Sequence, residues 1–193
     1  KKFPHGMKYL ADYIHSKGMK FGMYSCAGIR TCAGFPSSFD HEYQDARTFA
    51  SWGVDFLKYD FCYFPSFANC QHRYLQMAMA LRASGRDILF SACNWGVQEP
   101  WNWMRSIGAH MYRSTGDIVD TFASTADIAK SQIGKFNANA AGCFNDLFET
   151  VSFFFCIWVS GISDYDRKCF SGKIALRVRI DNESSAAYNC CCH

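Results

Sequence analysis

Two aspartates stand in local sequences that suit catalysis. Asp60 closes the segment Lys58-Tyr59-Asp60, and Asp117 follows Gly116 within the segment 112–118. Glycoside hydrolysis needs two carboxyl groups, because one attacks the anomeric carbon or activates water while the other protonates the leaving oxygen. A separation of about 5 to 5.5 Å leads to retention, and one of about 6.5 to 9.5 Å leads to inversion. The two segments predict such a pair if the fold brings them together.

Each aspartate also has a purely structural interpretation. Side chains alternate along a strand, so Lys58 and Asp60 are expected on one face and Tyr59 on the other. The lysine favours the ionised carboxylate that a nucleophile needs, yet the same two residues fit a structural ion pair equally well. Gly116 permits a sharp turn that would carry Asp117 over the strand ends. Asp is also a common N-cap residue, so Asp117 fits a cap on the following helix as well.

The elements that would position these residues recur as a module of amphipathic helix, glycine and short apolar strand. In the first unit the apolar residues fall at i, i+3, i+4 and i+7, one face of a helix. Glycines at 18, 53, 85 and 108 end the first four helices. The predicted helix and strand pairs are 7–14 with 19–24, 42–52 with 54–59, 74–81 with 88–93, 101–107 with 109–112, and 120–132 with 140–144.

Helices that alternate with strands at this spacing indicate parallel βαβ units. A doubly wound sheet would usually carry a glycine-rich phosphate turn, and the chain has no GxGxxG. Instead the strands lead into Ser25, Asp60, Asn94 and Arg113, as in (β/α)8 barrels, whose active sites are built from strand ends. We therefore expect an α/β fold of the TIM-barrel type. It is expected to be incomplete, because 193 residues fall short of the about 250 that a barrel takes.

The composition is that of a globular protein, with 49% hydrophobic and 19% charged residues. The 20 Lys and Arg against 17 Asp and Glu leave a charge of +3, which favours neither nucleic acid nor a membrane surface as partner. The longest apolar run, 153–159, is far below the about 18 to 20 residues that span a bilayer. The chain starts at Lys1 without a signal-peptide pattern, so we expect a processed start or a fragment.

The 11 cysteines form no CxxC pair. The nearest approach to metal-ligand spacing is the run Cys190, Cys191, Cys192 and His193. Consecutive side chains diverge, so this run is not expected to converge on one zinc ion. The cysteine count does not identify the redox compartment, and localisation and oligomeric state stay open.

Six stretches occur in the order in which α-galactosidases (melibiases) of glycoside hydrolase family 27 carry them. The chain resembles that family from Lys1 to about Asp146, roughly three quarters of its length. The stretches are FPHG at 3–6, HSKG at 15–18, GMYS at 22–25, TCAG at 31–34, WGVDFLKYD at 52–60 and RSTGD at 113–117.

The resemblance implies a retaining glycosidase that removes terminal α-linked galactose from oligosaccharides or glycoconjugates. Asp60 matches the nucleophile and Asp117 the acid/base. Cys32 and Cys62 match a disulfide that would brace the loop after the nucleophile, although two reduced thiols remain an alternative. No metal or organic cofactor is implied, and a galactoside is the expected partner. The residues expected to bind substrate are Tyr24, Lys58, Asn94, Trp95 and Arg113.

Four departures from the family pattern bear on function. Cys26 stands where relatives usually carry Asp, and Asn94 gives Cys-Asn-Trp in place of Cys-Glu-Trp. Phe148 takes the position of an Asp that contacts sugar in relatives, and the family's first two strands are absent ahead of Lys1. The amide of Asn94 can still donate and accept hydrogen bonds, so it leaves the sugar open between galactose, N-acetylgalactosamine and a pentose analogue.

These features divide the chain into a central part of a catalytic barrel, 1–146, and a divergent or truncated C-terminal segment, 147–193. An α-N-acetylgalactosaminidase and a non-catalytic carbohydrate-binding remnant of the same barrel remain alternatives. A dinucleotide-binding protein is disfavoured by the missing phosphate loop.

Overall fold

The computed structural model describes residues 3–146 and four short strands farther along the chain. The helices are α1 (Gly6–Ser16), α2 (Glu42–Trp52), α3 (Cys70–Ala83) and α4 (Phe122–Ser131). The strands between them are β1 (Gly22–Cys26), β2 (Phe56–Asp60), β3 (Leu89–Cys93), β4 (Met111–Arg113) and β5 (Phe144–Asn145). The later strands are β6 (Ile162–Asp166), β7 (Cys169–Phe170), β8 (Lys173–Ile174) and β9 (Arg177–Ile180).

Strands β1 to β5 form one parallel sheet in chain order. Cys26 at the end of β1 pairs with Asp60 at the end of β2, and Cys93 at the end of β3 pairs with Arg113 at the end of β4. The carboxyl ends of the strands therefore share one edge. In contrast, β6 pairs with β9 and β7 with β8, both antiparallel.

The alternation of helices and parallel strands confirms the predicted α/β class. Within the part of the chain that the structure describes, the five strands do not close into a barrel. The helix predicted over 42–52 has the observed bounds of α2, and Gly53 caps it with a φ of 85°. That left-handed conformation is inexpensive only for glycine, which explains why the helix ends there.

The helix predicted over 101–107 is wrong. The segment contains a 3₁₀ turn, Pro100–Asn102, followed by further turns. The indole of Trp103 donates to the carbonyl of Gln98 at 2.6 Å, which links this segment to the loop before it. The amides of Trp103, Ser106 and Gly108 each donate to the carbonyl three residues earlier, which is the pattern of successive turns rather than of an α-helix. The apolar spacing over 101–107 reflects burial of Trp103 and Ile107 in the core.

The core lies between the helices and one face of the sheet. Tyr59 of β2 is buried against Tyr74 of α3 and Phe90 of β3, with ring centroids 5.4 and 5.9 Å apart. Burying a large apolar side chain contributes about 1.5 to 3 kcal/mol, so such aromatics hold the helices on the sheet. None of the described helices is long and apolar enough to cross a membrane.

The amino ends of the strands are joined by Asp55. Its carboxylate accepts from the Phe21 amide at 2.8 Å and from Arg86 Nη2 at 2.8 Å, and lies 2.6 Å from His15 Nε2. Burial alone would raise the pKa of Asp55, but the Phe21 amide, His15 and Lys20 together lower it. A cavity of about 1010 Å³ opens at this end of the sheet, opposite the edge that carries Asp60.

Candidate active site at the carboxyl edge of the sheet

Asp60 is the last residue of β2 and is completely buried. Its Oδ2 accepts a hydrogen bond from the hydroxyl of Tyr24 in β1 at 2.8 Å. Its Oδ1 accepts from the Trp95 indole at 3.0 Å and from the Phe61 amide at 2.8 Å. Donors from two neighbouring strand ends and from its own backbone thus hold both carboxylate oxygens in one orientation.

Lys58 lies on the same face of β2 as Asp60. Tyr59, between them, points into the helix-covered core, as the alternation along the strand predicts. Lys58 is in register with Tyr24 on one side and Ser91 on the other, and only 2% of it is exposed. The face of the sheet that carries Lys58 and Asp60 is therefore the one turned away from the helices.

Cys32 and Cys62 form a disulfide with a Cα–Cα distance of 5.1 Å, as the resemblance implies. The bond joins the loops that follow β1 and β2. Cys32 Sγ also lies 3.1 Å from the Tyr24 hydroxyl and 3.4 Å from Asp60 Oδ2. The disulfide therefore contacts the carboxylate itself, which nothing in the sequence spacing indicates.

Cys26, the residue in register with Asp60, donates its thiol to the carbonyl of Cys62 at 3.1 Å. Burial, together with the nearby charge of Asp60, raises the pKa of Cys26 to about 12. Cys26 therefore remains a neutral thiol that supports the loop after β2.

Asn94, which follows β3, is completely buried. Its side-chain nitrogen donates to the carbonyl of Val97 at 2.6 Å and lies 3.7 Å from the sulfur of Cys70. These contacts use the amide to fold the turn after β3. A direct role of Asn94 in substrate binding stays a prediction.

Trp95 adopts a left-handed backbone conformation, with a φ of 60°. That conformation costs about 1 to 2 kcal/mol for a residue with a side chain, and such strain occurs where the surrounding structure enforces it. Here it directs the indole nitrogen to Asp60 while the ring packs edge-on against Phe61, 5.8 Å between centroids. Nothing in the sequence indicates this hydrogen bond.

Asp117 forms an ion pair with Arg113, the last residue of β4, at 2.5 Å. The arginine side chain is 4% exposed and the aspartate 30%, so Asp117 reaches solvent. The alternative that Asp117 caps a helix is wrong. Helix α4 begins at Phe122, and its N-cap is Thr121, whose hydroxyl accepts from the Ser124 amide at 3.1 Å.

The loops after β3 and β4 touch at Gly96. A Cβ on Gly96 would lie 2.4 Å from the carbonyl oxygen of Ser114, so the two backbones approach at a distance that only glycine permits. The Ser114 hydroxyl in turn bonds Gln132 at 2.5 Å and Asn145 at 3.0 Å. The backbone bends at 115–116, just before Asp117, but Gly116 has neither a positive φ nor a close neighbour, so the bend does not require glycine.

The structure thus assembles two groups of the predicted residues. Tyr24, Trp95 and the disulfide surround Asp60, whereas Arg113 holds Asp117. Contact between the loops carrying Trp95 and Ser114 connects these groups along the same edge of the sheet. The terminal run 190–193 and Phe148 lie outside the described residues.

The fold and this edge define a parallel α/β protein with a buried, oriented carboxylate at its strand ends. The α-galactosidase A family model matches residues 1–151. The chain belongs to this family of α-galactosidases, which confirms the resemblance to family 27.

The chain is 53% identical over 118 residues to α-galactosidase A of Cellvibrio japonicus, covering 61% of this chain and 29% of that protein. It is 50% identical over 145 residues to the α-galactosidase of Cyamopsis tetragonoloba, covering 75% and 35%. The structure of the Saccharomyces cerevisiae α-galactosidase with raffinose superposes with a TM-score of 0.73 at 34% identity, covering 76% of this chain and 38% of that one. The chain spans about a third of the length of these relatives.

Proposed function

We propose that this chain carries the catalytic carboxyl groups of a retaining α-galactosidase, with Asp60 as nucleophile and Asp117 as acid/base. The main support is that Asp60, at the carboxyl end of β2, is oriented by hydrogen bonds from Tyr24, Trp95 and the Phe61 amide. A nucleophile must be held in a fixed direction to attack, and side chains at this end of parallel strands are where such sites are built.

In this mechanism an oxygen of Asp60 attacks the anomeric carbon of the galactoside. Asp117 donates its proton to the leaving oxygen, and a covalent galactosyl ester forms on Asp60. Asp117 then removes a proton from the incoming water, which hydrolyses the ester with net retention. Its partial exposure supports this role, because the acid/base must exchange protons with the leaving group and with water.

The proposed substrate site comprises residues on the same face and edge of the sheet. Tyr24 and Trp95 flank the carboxylate of Asp60 and offer aromatic surface, while Lys58 and Arg113 offer donors to sugar hydroxyls. Asn94 shapes the loop that carries Trp95. The relative from Saccharomyces cerevisiae was solved with raffinose, which supports an oligosaccharide substrate.

We further propose that β1 to β5 are part of a (β/α)8 barrel, with 1–146 as its central part and 147–193 as a divergent segment. The parallel order of the strands and the family membership support this proposal.

A second candidate function is carbohydrate binding without turnover. One observation favours this function: the described strands do not close a barrel. They therefore do not supply the sugar-binding residues that further strands would carry. An α-N-acetylgalactosaminidase is a further alternative, because Asn94 departs from the family pattern.

Hydrolysis of p-nitrophenyl α-galactoside by the chain distinguishes these functions. Asp60→Asn should lower kcat by at least about 1,000-fold, since removing a nucleophile of this kind costs several kcal/mol of transition-state stabilisation. Asp12→Asn, which removes an exposed ion pair with Lys8 on α1, should leave turnover unchanged. Galactose binding by calorimetry without any turnover would contradict the proposal and support the second candidate.

A further inference from the structure

We propose that reduction of the Cys32–Cys62 disulfide converts the surroundings of Asp60 into a binding site for a thiophilic divalent cation such as Zn²⁺ or Cd²⁺. The two sulfur atoms and a carboxylate oxygen of Asp60 all lie within 4.8 Å of one another. While the disulfide is intact its sulfur atoms have no thiolate to offer, so the site exists only in the reduced chain.

The distances suit tetrahedral coordination. With Zn–S bonds of about 2.3 Å and Zn–O bonds of about 2.0 to 2.2 Å, neighbouring ligand atoms lie about 3.5 to 3.8 Å apart. Cys32 Sγ is already 3.4 Å from Asp60 Oδ2. Once the S–S bond is broken, rotation about the two cysteine side chains moves the sulfur atoms to the same spacing.

The loops that carry the ligands are held together independently of the disulfide. The Ala27 amide donates to the carbonyl of Asp60 at 2.8 Å, and the Ile29 amide donates to that of Tyr63 at 3.2 Å. The thiol of Cys26 donates to the Cys62 carbonyl at 3.1 Å. These contacts keep the two loops in place after reduction, so the ligands are preorganised.

The site forms in two steps, reduction of the disulfide and then binding of the cation. A trialkylphosphine reduces the disulfide to two thiols while water supplies the oxygen of the phosphine oxide. Cd²⁺ then displaces one proton from each thiol and binds both thiolates and the Asp60 carboxylate, so that the cation offsets two of the three negative charges. Three protein ligands leave one position for water or for the Tyr24 hydroxyl, which lies near both Cys32 and Asp60.

The test is a Cd²⁺ titration of the full chain, followed by thiolate-to-metal charge-transfer absorption. A background with Cys190, Cys191 and Cys192 replaced by serine removes competing terminal thiols. A phosphine is used because a dithiol reductant would itself bind Cd²⁺. We expect one additional equivalent of Cd²⁺ to bind after reduction.

Matched variants identify the ligands. Cys32→Ser should abolish the additional equivalent, whereas Cys143→Ser, which removes a buried thiol at β5, should retain it. Asp60→Asn should weaken binding at least about tenfold, since even the loss of an outer partner of a metal ligand costs that much. This readout requires no turnover, so it stands apart from the proposed hydrolase activity.

Equal Cd²⁺ binding by the oxidised and reduced chains, or by the reduced chain and its Cys32→Ser variant, would overturn the proposal. Loss of the folded circular-dichroism spectrum on reduction, before Cd²⁺ is added, would overturn it too, because the site needs both loops in their folded positions.

Discussion

At the residue scale, the orientation of Asp60 depends on side chains from β1 and from the loop after β3. Tyr24 and Trp95 each donate to a different oxygen of its carboxylate. These two donors limit rotation of the carboxylate about the Cβ–Cγ bond of Asp60. Catalytic efficiency should therefore respond to these donors even where the aspartate itself is untouched.

Trp95→Phe tests this dependence with the smallest change. Phe keeps the ring that packs against Phe61 but lacks the N–H that donates to Asp60. A hydrogen bond to a charged group contributes about 1.5 to 3 kcal/mol, so kcat/KM for p-nitrophenyl α-galactoside should fall about 10- to 100-fold. Trp101→Phe, at a tryptophan that contacts Lys135 instead, is the control. Equal losses in both variants would contradict the assignment.

The sequence predicted which face of β2 carries Asp60, but not the contacts that its carboxylate makes with Trp95 and the disulfide. Alternation along β2 suffices to place Lys58 and Asp60 on one face. The approach of the Trp95 indole to Asp60 depends on a left-handed backbone at a tryptophan, which propensities disfavour. The contact between the disulfide and Asp60 depends on how two distant loops pack, and spacing along the chain carries no information about that.

At the element scale, the loops after β3 and β4 are joined where Gly96 meets Ser114. The contact supports the loop that carries Trp95 and the loop that leads to Asp117. A side chain at this point would separate them.

Gly96→Ala should lower the free energy of unfolding by about 1 to 3 kcal/mol, because the added methyl overlaps the Ser114 carbonyl and the φ of 88° strains alanine. Gly116→Ala is the matched control, since a Cβ there meets nothing within 4 Å. Urea unfolding measures both. A Gly96→Ala chain as stable as the Gly116→Ala chain would refute the close contact.

The amino ends of the strands offer a pH test at Asp55. Its lowered pKa means that the folded state favours the carboxylate. Asp55 therefore contributes stability above the pKa of the unfolded chain, about 4, and this contribution is lost as the pH falls through the lower folded pKa.

Asp55→Asn should destabilise the chain at pH 7 by weakening the contacts with His15 and Arg86. The stability difference between wild type and Asp55→Asn should shrink as the pH falls below about 4. Urea unfolding at several pH values measures it. A difference that stays constant down to pH 2 would contradict the pKa shift.

Periodicity predicted most elements, but not where each begins. The apolar spacing of 42–52 coincides with α2, because Gly53 marks its end. The strand predicted over 19–24 is observed at Gly22–Cys26, because residues before Gly22 bond to Asp55 and to the end of α1 rather than to a neighbouring strand. Over 101–107 the apolar residues are spaced as in a helix, but the segment consists of turns that bury them.

At the scale of the whole molecule, the disulfide joins parts of the chain separated by 30 residues. A crosslink of this length restricts the unfolded chain, and the loop-entropy model gives about 3.6 kcal/mol of stabilisation. The bond connects the loops after β1 and β2 next to Asp60.

The double variant Cys32→Ala/Cys62→Ala should therefore lose about 3.6 kcal/mol of unfolding free energy. Cys143→Ala, which removes a buried but unlinked thiol, should lose less, because only packing is affected. Urea unfolding without reductant compares the two. A double variant as stable as wild type would show that the link contributes nothing.

The α/β class was predictable because helices and strands alternate along the chain, and family membership followed from six ordered motifs. The number of strands in the sheet could not be predicted, because no local sequence pattern indicates how many strands pair. The chain spans about a third of the length of its relatives, and β1 to β5 form an open sheet.

Trapping the covalent intermediate shows whether Asp60 is the nucleophile. An activated 2-deoxy-2-fluoro-α-galactoside slows hydrolysis of the glycosyl-enzyme, so the ester accumulates. Mass spectrometry of the digested chain should find the added sugar on the peptide that contains Asp60. A sugar attached to another carboxylate, or turnover without any adduct and with inverted product, would contradict the account.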